Sequence, residues 1–149
     1  MSSPSTVDHA VAAPAPPASL TVLVYSDDAN VRAAVRAALG TRPAPDLPAV
    51  HVKETATEPA VIEAMDAIAK GARIDLAILD GEAVPAGGIG IARQLKDEIY
   101  RCPPLLVLTG RAQDGWLATW ARADAMVPHP IDPVRLAEVA AALLRPRVA

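Results

Sequence analysis

Five short apolar runs, each followed by a stretch with helical periodicity, set the limits on what this chain can fold into. The runs are Leu20–Tyr25 (LTVLVY), Ala49–Glu54 (AVHVKE), Ile74–Asp80 (IDLAILD), Pro104–Gly110 (PLLVLTG) and Ala125–Val127 (AMV). They are short, and the first is rich in β-branched residues, so they read as strands. The second alternates apolar and polar residues, as a half-exposed edge strand does. Between them lie Asn30–Gly40, Pro59–Gly71, Gly88–Ile99, Gln113–Ala123 and Asp132–Arg145. Val31, Ala34, Val35 and Ala38 form one helical stripe that stops at Gly40, a usual helix end. Pro59 opens the second helix and Gly71 closes it. Asp132 is placed to cap the last helix, with Pro133 at its first position.

Strand and helix in alternation imply a parallel sheet covered on both faces. The expected fold is therefore α/β: a doubly wound, flavodoxin-like five-stranded sheet in the order 2-1-3-4-5. A core of sufficient size is available, since 52% of the 149 residues are hydrophobic. With no Phe and only 3% aromatics, it has to be built from Ala, Val, Leu and Ile. Residues 1–19, rich in Ser, Ala and Pro, read as a disordered tail, because such a segment buries too little apolar surface to offset its ordering entropy. Residues 20–145 read as the folded domain, and 146–149 as a short C-terminal tail.

The formal net charge is −3, and no run of Lys or Arg marks a nucleic-acid footprint. Direct nucleic-acid binding is not expected. The single Cys102 reads as a buried, inert thiol, which fits a reducing cytoplasm. No segment is long and apolar enough for a membrane span, and the N-terminus lacks the pattern of a signal peptide. The expected location is cytoplasmic.

In a doubly wound sheet the functional site lies beyond the carboxyl ends of the strands. Those ends carry Ser26, Asp27 and Asp28, then Asp80 to Glu82, then Thr109, then His129. An acid ending strand one, ILD ending strand three, LTG ending strand four and a basic residue before Pro after strand five resemble the receiver domain of bacterial two-component response regulators. The resemblance spans Leu20 to about Arg145. With no output domain following, it implies a stand-alone receiver.

The resemblance assigns roles residue by residue. Asp80 matches the carboxylate that attacks a phosphoryl donor with the help of magnesium, and Thr109 the hydroxyl that contacts the phosphoryl group. Asp27, Asp80 and the backbone carbonyl of Glu82 match the metal ligands. Gly88 matches the glycine that closes the loop after the nucleophile. An acyl phosphate on a carboxylate, with a hard cation among oxygen ligands, is sound chemistry.

The departures are as informative. The family ends its first strand with two acids. Here the register places that pair on Ser26 and Asp27, leaving Asp28 to cap the first helix; a one-residue gap would restore two acids. With Ser26 in the site, magnesium is expected to bind weakly. Val84 stands in the slot of the family's proline, which comes one position later as Pro85. Glu82 is either a solvated loop acid or a charge that helps hold a cation or repels phosphoryl donors. His129 replaces a lysine. It either packs beside Asp80 and hydrogen-bonds it, serves as a substitute cation, or ligates a metal for which no second His or Cys is positioned. The family's Lys-Pro bond is usually cis, so His129–Pro130 is expected to be cis too. Met126 replaces an aromatic that reports phosphorylation.

Trp116 and Trp120 are four apart and share a helix face. Either both close the core, or at least one is exposed and anchors a partner. Receivers often use the fourth helix, fifth strand and fifth helix for dimers or targets, and Met126 belongs to that surface. The expectation is an atypical single-domain response regulator, not an enzyme, acting through protein–protein contacts, with phosphoryl acceptance weak or absent. The alternatives are a regulator phosphorylated on Asp80 with His129 replacing Lys, and a flavodoxin-like nucleotide-binding or enzymatic module. Against the last, SDDAN after strand one offers acids where a phosphate loop needs glycines.

Overall fold

The computed structural model describes residues 18–111 and 115–148. Five parallel strands form one sheet in the order β2-β1-β3-β4-β5, as the strand–helix alternation requires. They are β1 (Ser19–Tyr25), β2 (Ala49–Thr55), β3 (Leu76–Asp80), β4 (Leu105–Thr109) and β5 (Ala125–Pro128). The helices are α1 (Ala29–Leu39), α2 (Glu58–Asp66, prolonged by a 3-10 turn, Ala67–Lys70), α3 (Gly88–Glu98), α4 (Gly115–Trp120) and α5 (Pro133–Leu144, followed by a 3-10 turn, Arg145–Arg147).

Side chains that alternate along β1 divide between two cores. Leu20, Val22 and Val24 join Val35 and Leu39 of α1 and Leu136, Ala140 and Leu144 of α5. Leu23 and Tyr25 join Val61 and Met65 of α2 and Ile91, Ala92 and Leu95 of α3. Every residue of β3 and β4 is buried, which is why these two strands read as continuous apolar runs. β2 is an edge strand with His51 and Lys53 exposed, and charged residues there discourage pairing with another chain.

Four expectations change in detail. Ala34 is exposed, and Leu39 takes its place in the buried stripe of α1. Ser19 already belongs to β1, so the tail boundary moves back by one residue at least; residues 1–17 lie outside the described residues. The C-terminus is not a free tail up to Val148. Arg147 pairs with the fully buried Asp75 at 3.3 Å and donates to Ile74 O at 3.2 Å. Asp75 also accepts from Thr21 N at 2.8 Å and pairs with Arg73 at 2.9 Å. A buried carboxylate needs such partners, and these tie the start of β3 to β1 and to the chain end. Cys102 is half-buried rather than buried, and its partial burial pushes the thiol pKa up. Among the described residues, no helix is long and apolar enough to cross a membrane.

Candidate functional site at the carboxyl ends of the strands

β1 and β3 are neighbours, and their connections leave in opposite directions to β2 and β4. This topological switch opens a crevice at the strand ends. A cavity of about 320 Å³ lies there, lined by Asp27, Asp28, Val31, Asp80, Glu82 and His129.

Asp80 ends β3 and is nearly buried, at 3% exposure. Its position is set from behind by glycines. A β-carbon on Gly88 would stand 2.8 Å from Asp80 O, and one on Gly81 would stand 2.7 Å from Leu108 O. The loop after Asp80 therefore folds flat against β3 and β4, with Gly88 packed on the backbone of Leu79 and Asp80. Tyr25 Oη donates to Ala86 O at 2.5 Å and pins the far side of that loop. Burial, then Asp27, Glu58 and Asp80, push the Tyr25 phenol pKa up. Val84 is exposed and its bond to Pro85 is cis.

Both oxygens of the Asp80 carboxylate are engaged. Oδ1 accepts from Glu82 N at 2.9 Å and lies 3.0 Å from His129 Nε2. Oδ2 accepts from Ser26 Oγ at 2.8 Å. Ser26 is fully buried, and its hydroxyl also receives Asp28 N at 3.1 Å. Ser26 thus faces Asp80 directly, with Asp27 next in the chain. Asp28 caps α1, accepting from Asn30 N at 2.8 Å. Asp27 is exposed and accepts from Val84 N at 3.1 Å.

His129 follows β5. Its peptide N–H donates to Thr109 O at 2.7 Å, and the His129–Pro130 bond is cis, as expected. The 3.0 Å contact of His129 with Asp80 fits both a hydrogen-bonding histidine and a substitute cation. Among the described residues, no group of three or more His, Cys, Asp or Glu side chains is arranged to hold a metal ion. A divalent cation would find the carboxylates of Asp27 and Asp80 and the carbonyl of Glu82. The Ser26 hydroxyl is spent on Asp80. Such a set is of the right chemical type but incomplete for a hard dication.

Thr109 is fully buried, and its hydroxyl has no hydrogen-bond partner among the described residues. It does not line the cavity. A buried hydroxyl without a partner is uncommon and fits a group kept for a ligand. Two further contacts could not be read from the sequence. Arg32 donates to Ser26 O at 2.7 Å while pairing with Glu54 at 3.1 Å, and Val84 N reaches Asp27. Neither follows from spacing, because each depends on how a loop closes.

Trp116 and Trp120 are both exposed, at 67% and 49%, so neither closes the core. Arg93 of α3 lies 4.5 Å from the centroid of the Trp120 ring and donates to Trp120 O at 2.7 Å. Lys96 pairs with Asp124 at 2.7 Å, and Arg122 pairs with Asp97. These ties fasten α4 and the turn after it to α3. Met126 is half-buried in β5.

No protein-family model matches the chain. An uncharacterized response regulatory protein of Mycobacterium tuberculosis is 58% identical over 127 residues, covering 85% of this chain and 92% of the relative. Among solved structures, a CheY-like receiver domain protein from Methanospirillum hungatei superposes with a TM-score of 0.65 at 18% identity, covering 86% of this chain and 95% of that one. The response regulator TrrA from Thermotoga maritima, solved in complex with magnesium and beryllofluoride, superposes with a TM-score of 0.66 at 21% identity, covering 84% and 99%. The structures share the fold and the sequence relative shares the sequence itself: this chain belongs to the receiver-domain response regulators of bacterial two-component systems.

Proposed function

We propose that this chain is an atypical receiver that acts through protein–protein contacts, with phosphoryl acceptance at Asp80 weak or absent. The observation that carries this reading is the closed carboxylate of Asp80, with Ser26 on one oxygen and His129 on the other. Those two residues stand where a typical receiver has an acid and a lysine. To accept a phosphoryl group, an Asp80 oxygen must form a bond to phosphorus as the donor oxygen leaves. That oxygen must first give up a hydrogen bond, and charged or buried hydrogen bonds are costly to lose. The incoming phosphoryl oxygens then meet an imidazole in place of an ammonium, and a cation site with one carboxylate fewer. Magnesium binding is accordingly weak.

The working surface on this reading is the exposed Trp116 and Trp120 with the half-buried Met126 of β5. Exposed aromatics are the usual anchors of protein interfaces. A sensor kinase or a target protein, or a second copy through α4, β5 and α5, is the partner this surface suits, in the cytoplasm and without direct contact to nucleic acid.

One observation favours a second reading, that of a regulator phosphorylated on Asp80 with His129 in place of lysine. The unpartnered hydroxyl of Thr109 is the group a phosphoryl oxygen would engage. Intact mass after incubation with acetyl phosphate and magnesium separates the two. Little or no added phosphate is the expected result, and near-complete labelling would establish the second reading.

A further inference from the structure

Glu82 starts beside the nucleophile, since its peptide N–H donates to Asp80 Oδ1 at 2.9 Å. Its carboxylate then reaches across to the end of β4. A β-carbon built on Gly110 would collide with Glu82 Oε1 and stand 2.6 Å from Cδ. Gly110 does not have a positive φ, so the missing β-carbon serves for space and not for backbone conformation.

What lies next to Gly110 gives the contact its meaning. Thr109 precedes it, fully buried and with its hydroxyl unpartnered. The cavity at the strand ends has Glu82 in its wall but neither Thr109 nor Gly110. An acid thus stands on the open side of the site, against the residue that follows Thr109.

We propose that Glu82 is a built-in lid over the phosphoryl position, its carboxylate resting on Gly110 and competing with an incoming phosphoryl group for the place beside Thr109. This deepens the reading of Asp80 as a hindered phosphoryl acceptor and rests on it. Two effects add. The side chain takes up room, and its charge repels an anionic donor. Because Glu82 is exposed, the lid opens by a change of side-chain rotamer and needs no movement of the backbone.

Three variants separate room from charge. Glu82→Ala removes both, Glu82→Gln keeps the size and removes the charge, and Gly110→Ala keeps the acid but fills the place where it rests. Each is made in the native chain and in the Ser26→Asp/His129→Lys chain, and labelled with acetyl phosphate and magnesium. A nuclear Overhauser effect between Glu82 Hγ and Gly110 Hα reports the contact directly in the native protein. The effect is expected to be present. Glu82→Ala and Gly110→Ala should each raise the labelling rate of the double variant by about threefold, the scale of one partly exposed charge contact, and Glu82→Gln by less. Absence of the Overhauser effect, or a double variant that labels equally well with and without Glu82, overturns the lid alone. A double variant that takes no phosphoryl group at all overturns the acceptor reading, and the lid falls with it.

Discussion

His129 Nε2 lies 3.0 Å from Asp80 Oδ1, while the peptide N–H of the same histidine donates to Thr109 O at 2.7 Å. One residue therefore joins the ends of β3, β4 and β5 across the place where a receiver takes its phosphoryl group. The link is short and rigid, because an imidazole has fewer rotatable bonds than a lysine stem.

Replacing that link tests the proposed function. His129→Lys should raise acetyl-phosphate labelling of Asp80 by about tenfold, the equivalent of about 1.4 kcal/mol and within the range of one charged hydrogen bond. Adding Ser26→Asp should raise it again, and Asp80→Asn should abolish the gain. Equal labelling of native protein and both variants would show that neither substitution limits the chemistry.

Magnesium titration followed by NMR or calorimetry gives a separate check. The native chain should not bind magnesium at sub-millimolar concentration, because Ser26 supplies a hydroxyl where a carboxylate would complete the oxygen set. Ser26→Asp should tighten binding. Sub-millimolar affinity in the native chain would contradict the site as described.

Trp116 and Trp120 are the only tryptophans, and both are exposed. Emission should peak near that of tryptophan in water, with ready quenching by acrylamide. Arg93→Ala should increase quenching further by uncovering Trp120, and should cost about 0.5–1 kcal/mol, the worth of an exposed cation–π contact. Blue-shifted emission would mean that α4 packs differently.

The Asp75 cluster is a stability prediction. Asp75→Ala leaves Thr21 N–H without its partner and frees Arg73 and Arg147, and should lower stability by about 1–3 kcal/mol in urea unfolding. Arg147→Ala should cost less, since Arg73 still pairs with Asp75.

The acid limb of stability should report Glu54. Arg36, then Arg32, hold its carboxyl pKa below the usual value. A carboxyl depressed in the folded state stabilises above its unfolded pKa, and that contribution is lost as pH falls through the folded value. Native protein should therefore exceed Glu54→Gln in stability at neutral pH, and the gap should close as pH drops through the carboxylate range. A gap that stays constant with pH would show that the loss is one of packing.

The sheet and the positions of its site were legible because they rest on local rules. Burial of β3 and β4 on both faces forces continuous apolar runs, and parallel strands separated by helices leave their functional residues at one edge. The strand-end positions of Asp80, Thr109 and His129 follow from that alone. The cap at Asp28 was also readable, since it sits one turn before the apolar stripe of α1.

What the sequence by itself determined, then, is the fold, the edge that carries the site, and which residue types stand there. Only the tertiary structure decided how those residues use one another. Whether Trp116 and Trp120 face the core or the solvent depends on how α4 lies against α3, which a four-residue spacing does not specify. The contact of Glu82 with Gly110 joins residues from two loops, and its presence turns on a missing β-carbon. The closed carboxylate of Asp80 needs Ser26 from β1, Glu82 from the next loop and His129 from beyond β5 at once. Periodicity fixes the face a residue occupies; hydrogen bonds between loop ends depend on distances of a few tenths of an ångström, which only the packed sheet sets.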